Sequence, residues 1–291
     1  MRTLAVMSGK GGTGKTTLVA CFAALAGRAV AVDCDVDAAN LALLLPGEDS
    51  PGEPFYGGQK AAILAPACSG CGACAQMCRF NALDVLPSGA FEVDPLACEG
   101  CGACRLVCPV PGVISFHPNL AGHWYVRRTA QGWLVHAALG VAQDNSGKLV
   151  ARVREEAAAI ATREALSLVL VDGPPGIGCP VHAALGRVDR LLAVTEPTPS
   201  GLHDLDRLLD LAAHFDLSVC VAVNKWDLSP TGTETIEARC AARGVEVLGR
   251  LPFDPAVPRL LAAGRLPLEA PANPETVRAI RALWDRFAAP A

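Results

Sequence analysis

The stretch Gly9-Lys10-Gly11-Gly12-Thr13-Gly14-Lys15-Thr16-Thr17 decides the fold of this chain. Its spacing fits G-x-x-x-x-G-K-[ST], a loop whose glycines let backbone N–H groups point inward at phosphate oxygens. An apolar run at residues 4–8 precedes the loop, and an Ala/Leu-rich run at residues 18–26 follows it, as a strand and a helix would. We expect Lys15 to reach the β- and γ-phosphates of a nucleotide and the Thr16 hydroxyl to bind Mg²⁺. The stretch therefore predicts a nucleotide-binding strand, loop and helix.

A second lysine, Lys10, lies inside the loop, where most loops of this type carry none. With it, the sequence resembles the deviant Walker A motif of the family that contains the MinD and ParA ATPases, the nitrogenase iron protein and the Mrp-type iron–sulfur carriers. The resemblance implies a P-loop NTPase of the SIMIBI type that binds and hydrolyses ATP. It also implies a homodimer closed on two ATP molecules, in which Lys10 reaches the partner's nucleotide.

Composition limits the classes of function. The chain has 291 residues and a net charge of −4, and no basic stretch indicates a nucleic-acid partner. It contains no apolar run of 18 residues and no charged leader with a cleavage site, so neither a membrane partner nor export is expected. Its thirteen cysteines indicate metal ligation in the cytoplasm rather than disulfides.

Acidic residues follow two of the predicted strands. An apolar run at residues 28–32 ends in Asp33, Asp35 and Asp37, and a second run at residues 168–171 ends in Asp172. Ligands bind at the carboxyl ends of parallel strands, although such aspartates can also merely solvate a loop. The first segment resembles switch I, which implies that Asp35 positions or activates the attacking water beside Mg²⁺. Asp172 fits the Walker B position that holds Mg²⁺, and the glycine- and proline-rich residues 173–178 resemble switch II.

The string Asn224-Lys225-Trp226-Asp227 follows another apolar run. It matches N-K-x-D, which reads guanine in GTPases through its aspartate. In the deviant Walker A family, similar strings accompany adenine, with the asparagine touching the base. We therefore favour ATP over GTP, with Asn224 and Lys225 at the base and Pro252 closing over it.

Eight cysteines form two copies of a C-x₂-C-x₂-C-x₃-C run: Cys68, Cys71, Cys74 and Cys78, then Cys98, Cys101, Cys104 and Cys108. The spacing is typical of bacterial two-cluster ferredoxins, in which the fourth cysteine of each run binds the cluster of the other run. We therefore assign one 4Fe-4S cluster to Cys68, Cys71, Cys74 and Cys108, and the other to Cys78, Cys98, Cys101 and Cys104. Two zinc sites are the competing interpretation, although zinc motifs rarely place three cysteines at two-residue gaps.

The remaining cysteines divide into two groups. Cys179 ends the switch II-like loop, where the nitrogenase iron protein carries a ligand of its bridging cluster, so either a shared cluster or a buried structural thiol is expected. Four others lie in apolar surroundings and are predicted to be small core residues: Cys21, Cys34, Cys220 and Cys240.

Alternating strands and helices predict a mostly parallel α/β sheet. The Pro/Gly-rich residues 46–58 interrupt this pattern. We therefore expect a P-loop domain at residues 1–57 and 119–291 and a small α+β ferredoxin-like insert at residues 58–118. We predict a strand at residues 123–128 and helices at residues 149–163, 201–214 and 275–287.

Three functions fit these predictions. The first is an ATPase that couples a nucleotide-driven change in a dimer to electron transfer through two 4Fe-4S clusters, with an unidentified redox or cofactor-assembly protein as its partner. The second is a carrier or scaffold that delivers clusters to an acceptor protein. The third is a positioning ATPase in which the clusters are structural.

Overall fold

The computed structural model describes residues 1–141, 143, 146–269 and 271–289. The chain divides into two compact units. The first unit comprises Met1–Gly52, Trp124–Ala138 and Ser146–Ala291, and the second comprises Glu53–His123 and Leu139–Asn145. The described strands, in chain order, are β1 (Arg2–Met7), β2 (Ala29–Asp33), β3 (Gly47–Asp49), β4 (Glu53–Ile63), β5 (Leu83–Val85), β6 (Phe91–Val93), β7 (Ile114–Thr129), β8 (Gly132–Leu139), β9 (Leu168–Asp172), β10 (Arg190–Thr195), β11 (Ser218–Asn224) and β12 (Glu246–Leu251).

The described helices lie between these strands. In chain order they are α1 (Lys15–Ala26), α2 (Ala73–Met77), α3 (Ala103–Val107), α4 (Ser146–Arg163), α5 (Cys179–Leu185), α6 (Pro199–His214), α7 (Pro230–Ala242), α8 (Ala256–Ala262) and α9 (Pro274–Ala288). No helix among them combines the length and the apolar character needed to cross a membrane.

The first unit is built on one twisted sheet with the strand order β12-β11-β10-β1-β9-β2-β8-β7-β3. The pairs from β12 through β8 are parallel, and β3 pairs antiparallel with β7. Strands β1, β2 and β9 are almost wholly buried, as expected when helices cover both faces of a parallel sheet. The predicted mostly parallel α/β sheet is confirmed.

Helix α1 packs between the sheet and α9. Phe22 is fully buried, and its ring lies 5.2 Å from that of Trp284 and 5.9 Å from that of Phe287. The same apolar cluster includes Leu4 and Leu170 of the central strands. Burying large aromatic side chains contributes on the order of 2–3 kcal/mol each. This packing fixes the start of α1 at the carboxyl ends of β1 and β9.

The second unit has a smaller core. Strand β4 pairs with β7, and β5 and β6 form an antiparallel hairpin in which Leu83 faces Val93. The short helices α2 and α3 pack against each other. Phe91, Val113 and Ile114 are buried together with three cysteines of the sequence runs: Cys74, Cys98 and Cys104. Thiols therefore form a large part of this core.

Candidate functional site

The glycine-rich loop turns directly into α1. Gly12 and Gly14 have φ angles of 78° and 93°, a left-handed conformation that glycine adopts without steric cost. A Cβ on Gly14 would also lie 2.7 Å from the Nδ2 atom of Asn224. The next residue, Lys15, is 6% exposed, and burial lowers the pKa of its ammonium, although Asp172, Asp35 and Asp33 oppose this shift. The loop thus presents backbone N–H groups and a buried cation at the start of a helix.

The acidic residues that follow the two strands come together beside Lys15. Strands β2 and β9 are parallel neighbours, and Asp33 pairs in register with Asp172. Asp33 accepts hydrogen bonds of 3.0 Å from the backbone N–H groups of Asp35, Asn40 and Leu41. Burial raises the pKa of Asp33 to about 6 despite these bonds. Asp33 therefore shapes the loop that carries Asp35, a role that sequence analysis did not assign.

Asp172 is a buried carboxylate that lacks a full set of partners. It is 1% exposed, and burial, followed by the charge of Asp33, raises its pKa well above the ordinary value. The Thr16 hydroxyl lies near enough to oppose this shift, yet neither carboxylate oxygen has a partner with hydrogen-bond geometry among the described residues. Burying a charge without a partner is costly. A carboxylate and a hydroxyl arranged in this way fit a hard divalent cation such as Mg²⁺.

A pocket opens at the carboxyl end of β11 and β12. Its lining includes Gly14, Asn224, Lys225, Pro252 and Phe253, so it brings together the residues predicted to surround the base. The Asn224 amide donates to the Thr13 carbonyl at 2.9 Å, and its oxygen accepts from the Lys225 N–H at 2.9 Å. Through its bond to Thr13, Asn224 connects this pocket to the phosphate loop.

The last residue of the N-K-x-D string points elsewhere. One carboxylate oxygen of Asp227 accepts a 2.7 Å hydrogen bond from the backbone N–H of Phe253. Asp227 is absent from the described residues that line the pocket. Its carboxylate therefore stabilises the turn after β12.

Glu196 is a site residue that sequence analysis did not identify. It follows β10, and its carboxylate accepts from the Lys225 ammonium at 2.6 Å and pairs with the Lys10 ammonium at 3.3 Å. Its side chain is 14% exposed. An acid directly after an apolar run, like Asp33 and Asp172, was the available signal. Glu196 connects the lysine of the phosphate loop with the lysine of the base pocket.

In the second unit, the eight cysteines of the two runs surround two cavities. The first cavity is lined by Cys68, Cys71, Cys74 and Cys108, together with apolar side chains such as Ile63 and Ile114. The second is lined by Cys78, Cys98, Cys101 and Cys104, with Phe80 and Phe116 among its walls. Each cavity thus takes three cysteines from one run and the fourth from the other.

The two runs have corresponding backbone conformations. Gly70 and Gly72 of the first run have left-handed φ angles of 68° and 75°, and Gly100 and Gly102 of the second have 63° and 84°. Each second glycine leads into a short helix, α2 or α3. No group of three or more His, Cys, Asp or Glu side chains in the described part of the chain is arranged to hold a single metal ion. The assignment of iron–sulfur clusters to these cysteines stays a prediction.

The other cysteines lie in contrasting surroundings. Cys179 is the first residue of α5 and is exposed, so the expectation of a buried structural thiol is wrong. The turn that begins α5 leaves this side chain outside the core. The remaining four are at most 1% exposed, which confirms that they are core residues: Cys21, Cys34, Cys220 and Cys240.

Comparisons with known proteins agree with this geometry. Residues 4–268 match the family model of the CobQ/CobB/MinD/ParA nucleotide binding domain. An uncharacterised protein of Methanocaldococcus jannaschii is 30% identical over 98% of this chain and 95% of its own length. A second uncharacterised protein of that organism is 27% identical over 79% of this chain and 82% of its own length.

Solved structures show the same fold. The septum site-determining protein MinD of Pyrococcus horikoshii, solved with Mg-ADP, superposes with a TM-score of 0.61 at 17% identity, covering 98% of this chain and 95% of that one. The Cyanothece McdA(D38A)–ATP complex gives a TM-score of 0.60 at 16% identity, covering 100% and 98%. The phosphate loop, the paired aspartates and the family match lead to one conclusion: this chain belongs to the CobQ/CobB/MinD/ParA family of nucleotide-binding domains.

Proposed function

We propose that the protein is a Mg²⁺-dependent ATPase that couples nucleotide binding and dimerisation to electron transfer through two 4Fe-4S clusters. Its partner is a redox protein or an acceptor in metal-cofactor assembly. The observation that carries the proposal is the lining of two separate cavities by four cysteines each. A reducing compartment such as the cytoplasm suits the chain, since all thirteen cysteines are free thiols.

The nucleotide site supports ATP rather than GTP. In N-K-x-D GTPases the aspartate must accept hydrogen bonds from guanine, but here the Asp227 carboxylate is bound to the Phe253 backbone. The pocket beside Asn224 is lined mainly by apolar groups, including Leu251 and Pro252. Stacking between apolar side chains suits adenine, whose edge offers fewer polar groups than guanine.

In the proposed reaction, the residues of the phosphate site have separate roles. The N–H groups of residues 9–17 and the Lys15 ammonium bind the phosphates. Thr16 and Asp172 hold Mg²⁺, which would supply the counter-charge that the buried Asp172 carboxylate lacks. Asp35 lies within electrostatic range of the Lys15 ammonium, whose charge opposes the rise of the Asp35 pKa on burial, and it would orient the attacking water. Lys10 of each subunit neutralises charge that develops on the phosphates of the other subunit.

The cysteine cavities suit 4Fe-4S clusters in three respects. Four thiols line each one, the remaining walls are largely apolar, and the cysteine spacing allows a tight loop to surround three corners of a cubane. The four thiolates of such a cluster bind four different irons, so they need not converge on one point. When bound, the clusters would supply reversible one-electron transfer, and full ligation by eight cysteines suits electron transfer better than release of a cluster.

Two other functions remain candidates within the family. A cluster carrier needs an exposed, exchangeable ligand, and the exposed thiol of Cys179 favours this alternative. A positioning ATPase, in which the clusters are structural, agrees with the fold shared with MinD. The three functions predict different effects of ATP on the clusters: a changed spectrum or potential for electron transfer, transfer of a cluster for a carrier, and no response for a positioning ATPase.

The first experiment measures iron and acid-labile sulfide in anaerobically purified protein, with EPR of the reduced form in the presence and absence of ATP. We expect about eight irons per chain and a spectrum or potential that responds to ATP. Cys71→Ser and Cys101→Ser alter one exposed thiol in each cavity and should each lose at least half of the iron. Cys179→Ser changes an exposed thiol outside both cavities, and under the electron-transfer proposal it should keep all of the iron.

Each contrary outcome rejects a definite part of the proposal. Zinc in place of iron, or iron that survives both cavity variants, would exclude the cluster assignment. About eight irons with no response to ATP would favour the positioning ATPase. Transfer of a cluster to an apo-protein that depends on Cys179 would favour the carrier.

A further inference from the structure

The carboxylate of Glu196 lies between two lysine ammonium groups. Lys225 donates to one carboxylate oxygen at 2.6 Å, and Lys10 lies 3.3 Å from the other. The side chains of Lys10 and Lys225 are about one-third exposed, whereas the Glu196 side chain is 14% exposed. Lys225 is therefore the stronger and Lys10 the weaker of its two partners.

The backbone on both sides of this cluster is well fixed. The Ser8 hydroxyl donates to the Lys10 carbonyl at 2.5 Å, and a Cβ on Gly9 would lie 2.2 Å from the Cβ of Asp204 in α6. The phosphate loop thus packs tightly against the helix that follows Glu196. The Thr198 side chain caps α6 by accepting from the Gly201 N–H. Packing therefore fixes the backbone on both sides of the Lys10–Glu196 contact.

Because Glu196 binds Lys225 more closely than Lys10, breaking the Lys10–Glu196 ion pair costs little free energy. A buried carboxylate that loses its only cation is strongly destabilised, but Glu196 would keep the closer Lys225. Lys10, in contrast, would exchange its contact with a carboxylate that also binds Lys225 for a contact with nucleotide phosphates, which carry a larger negative charge. The ammonium of a flexible side chain moves between such partners as a compact point charge.

We propose that Glu196 is a positioning residue that holds Lys10 within its own subunit until ATP-driven dimerisation transfers the ammonium to the partner's nucleotide. This inference rests on the proposed function, in which Lys10 acts across a homodimer. It adds a release step within the chain: dimer closure requires Lys10 to exchange one carboxylate for phosphate oxygens. Removing the charge of Glu196 should therefore favour the dimer.

Lysine labelling tests the contact without requiring any ATPase activity. The chain has five lysines: Lys10, Lys15, Lys60, Lys148 and Lys225. Pulse acetylation followed by mass spectrometry of nucleotide-free protein reports each one separately. In Glu196→Gln, which keeps the side-chain volume, we expect Lys10 to react several-fold faster than in wild type. The exposed Lys148 should react at the same rate in both.

The matched control is Glu237→Gln, which removes a carboxylate bound through both oxygens to Arg250 on the surface. It should leave the Lys10 rate unchanged. Glu196→Asp keeps the charge but shortens the side chain, and an intermediate Lys10 rate is expected. If Lys10 reacts equally fast in wild type and both Glu196 variants, the contact does not hold Lys10 and the inference is wrong.

Sedimentation velocity at increasing ATP then measures the consequence. Glu196→Gln should reach half-maximal dimer at several-fold lower ATP than wild type. A higher ATP requirement would overturn the inference, because Glu196 would then support the dimer. Faster Lys10 labelling together with no dimer at any ATP concentration, in any variant, would contradict the proposed ATP-driven dimer while leaving the Lys10–Glu196 contact established.

Discussion

At the scale of single residues, Asp172 carries a clear electrostatic cost of burial. Its carboxylate is buried beside Asp33, and neither oxygen has a hydrogen-bond partner among the described residues. Because burial raises its pKa, the folded chain holds this proton more tightly than the unfolded chain. The stability that this group contributes is therefore greatest at low pH and falls as pH rises above the ordinary carboxylate range.

Asp172→Asn removes this cost together with the proposed ligand for Mg²⁺. At neutral pH we expect the nucleotide-free variant to be more stable than wild type by roughly 1–3 kcal/mol, with a flatter dependence on pH. It should lose the stabilisation by Mg²⁺ and ATP, which for wild type is about 2.7 kcal/mol at a hundredfold excess over Kd. Urea unfolding with and without Mg²⁺ and ATP measures both effects.

Asp210→Asn is the control, since Asp210 lies on the exposed face of α6 beside Arg243. It should leave both the pH dependence and the protection by ATP as in wild type. A less stable Asp172→Asn variant that keeps its protection by ATP would mean that Asp172 is structural and does not hold the metal.

The role of a residue could be predicted from sequence where the residue belongs to a motif of known chemistry. It could not be predicted where the role depends on contacts between residues that are distant in sequence. The sequence indicated Lys15, Thr16 and Asp172 because their spacing from a strand or loop is specific. It did not indicate that Asp33 binds the N–H groups of residues up to eight positions away. The position of Glu196 directly after an apolar run was a signal, but its partners Lys10 and Lys225 could not be predicted, because they lie far from it in sequence.

At the scale of elements, the start of α1 depends on a glycine for two separate reasons. Gly14 has a φ of 93°, and a Cβ there would meet the Asn224 amide at 2.7 Å. Gly27, at the other end of the helix, has a φ of 69°, but a Cβ there would meet nothing within 4 Å. A side chain at Gly27 would therefore introduce backbone strain alone, whereas a side chain at Gly14 would introduce the same strain and a steric clash.

Gly14→Ala and Gly27→Ala form a matched pair. Both should lose about 1–2 kcal/mol of stability to left-handed strain, as measured by urea unfolding. Only Gly14→Ala should also lose ATP affinity, by tenfold or more in calorimetry, because it displaces Asn224 from the Thr13 carbonyl. Equal ATP affinities in the two variants would show that the Asn224 contact does not support the site.

Element boundaries were predicted best where the pattern is local. The helices expected at residues 149–163 and 275–287 are observed as Ser146–Arg163 and Pro274–Ala288. The strand expected at residues 123–128 is instead Ile114–Thr129. Its first half carries Pro118 and polar residues, and it is strand because it pairs with β4. Pairing between strands that are distant in sequence cannot be predicted from the local pattern of apolar and polar residues.

At the scale of the whole molecule, the proposed active form is a dimer. A single chain provides the phosphate loop, the proposed Mg²⁺ ligands and the proposed base pocket, but its Lys10 is paired with its own Glu196. We predict that wild type dimerises with Mg²⁺ and ATP in sedimentation velocity and that Lys10→Ala stays monomeric while still binding ATP. Arg250→Ala, which removes a surface cation, should dimerise as wild type does. Dimers of Lys10→Ala at the same ATP concentration would exclude a trans role for Lys10.

The family could be predicted from the nine residues 9–17, because a phosphate loop that contains Lys10 in addition to Lys15 is specific to the deviant Walker A family. The match over residues 4–268 confirms that prediction. The insert and its clusters stay predictions, since the fold comparisons address the sheet and the chemistry of eight thiols requires measurement. Each cavity is lined by the four cysteines that the spacing assigns to one cluster, and their binding of that cluster stays a prediction.

The exchange of Cys78 and Cys108 between the two cavities has a consequence for assembly. Because each cysteine run contributes walls to both cavities, filling one cavity orders a segment that the other requires. Loading should therefore be cooperative, with few half-filled molecules at equilibrium. By the same reasoning, oxidation of Cys78 or Cys108 would remove a wall of one cavity directly and would also weaken loading of the other proposed cluster.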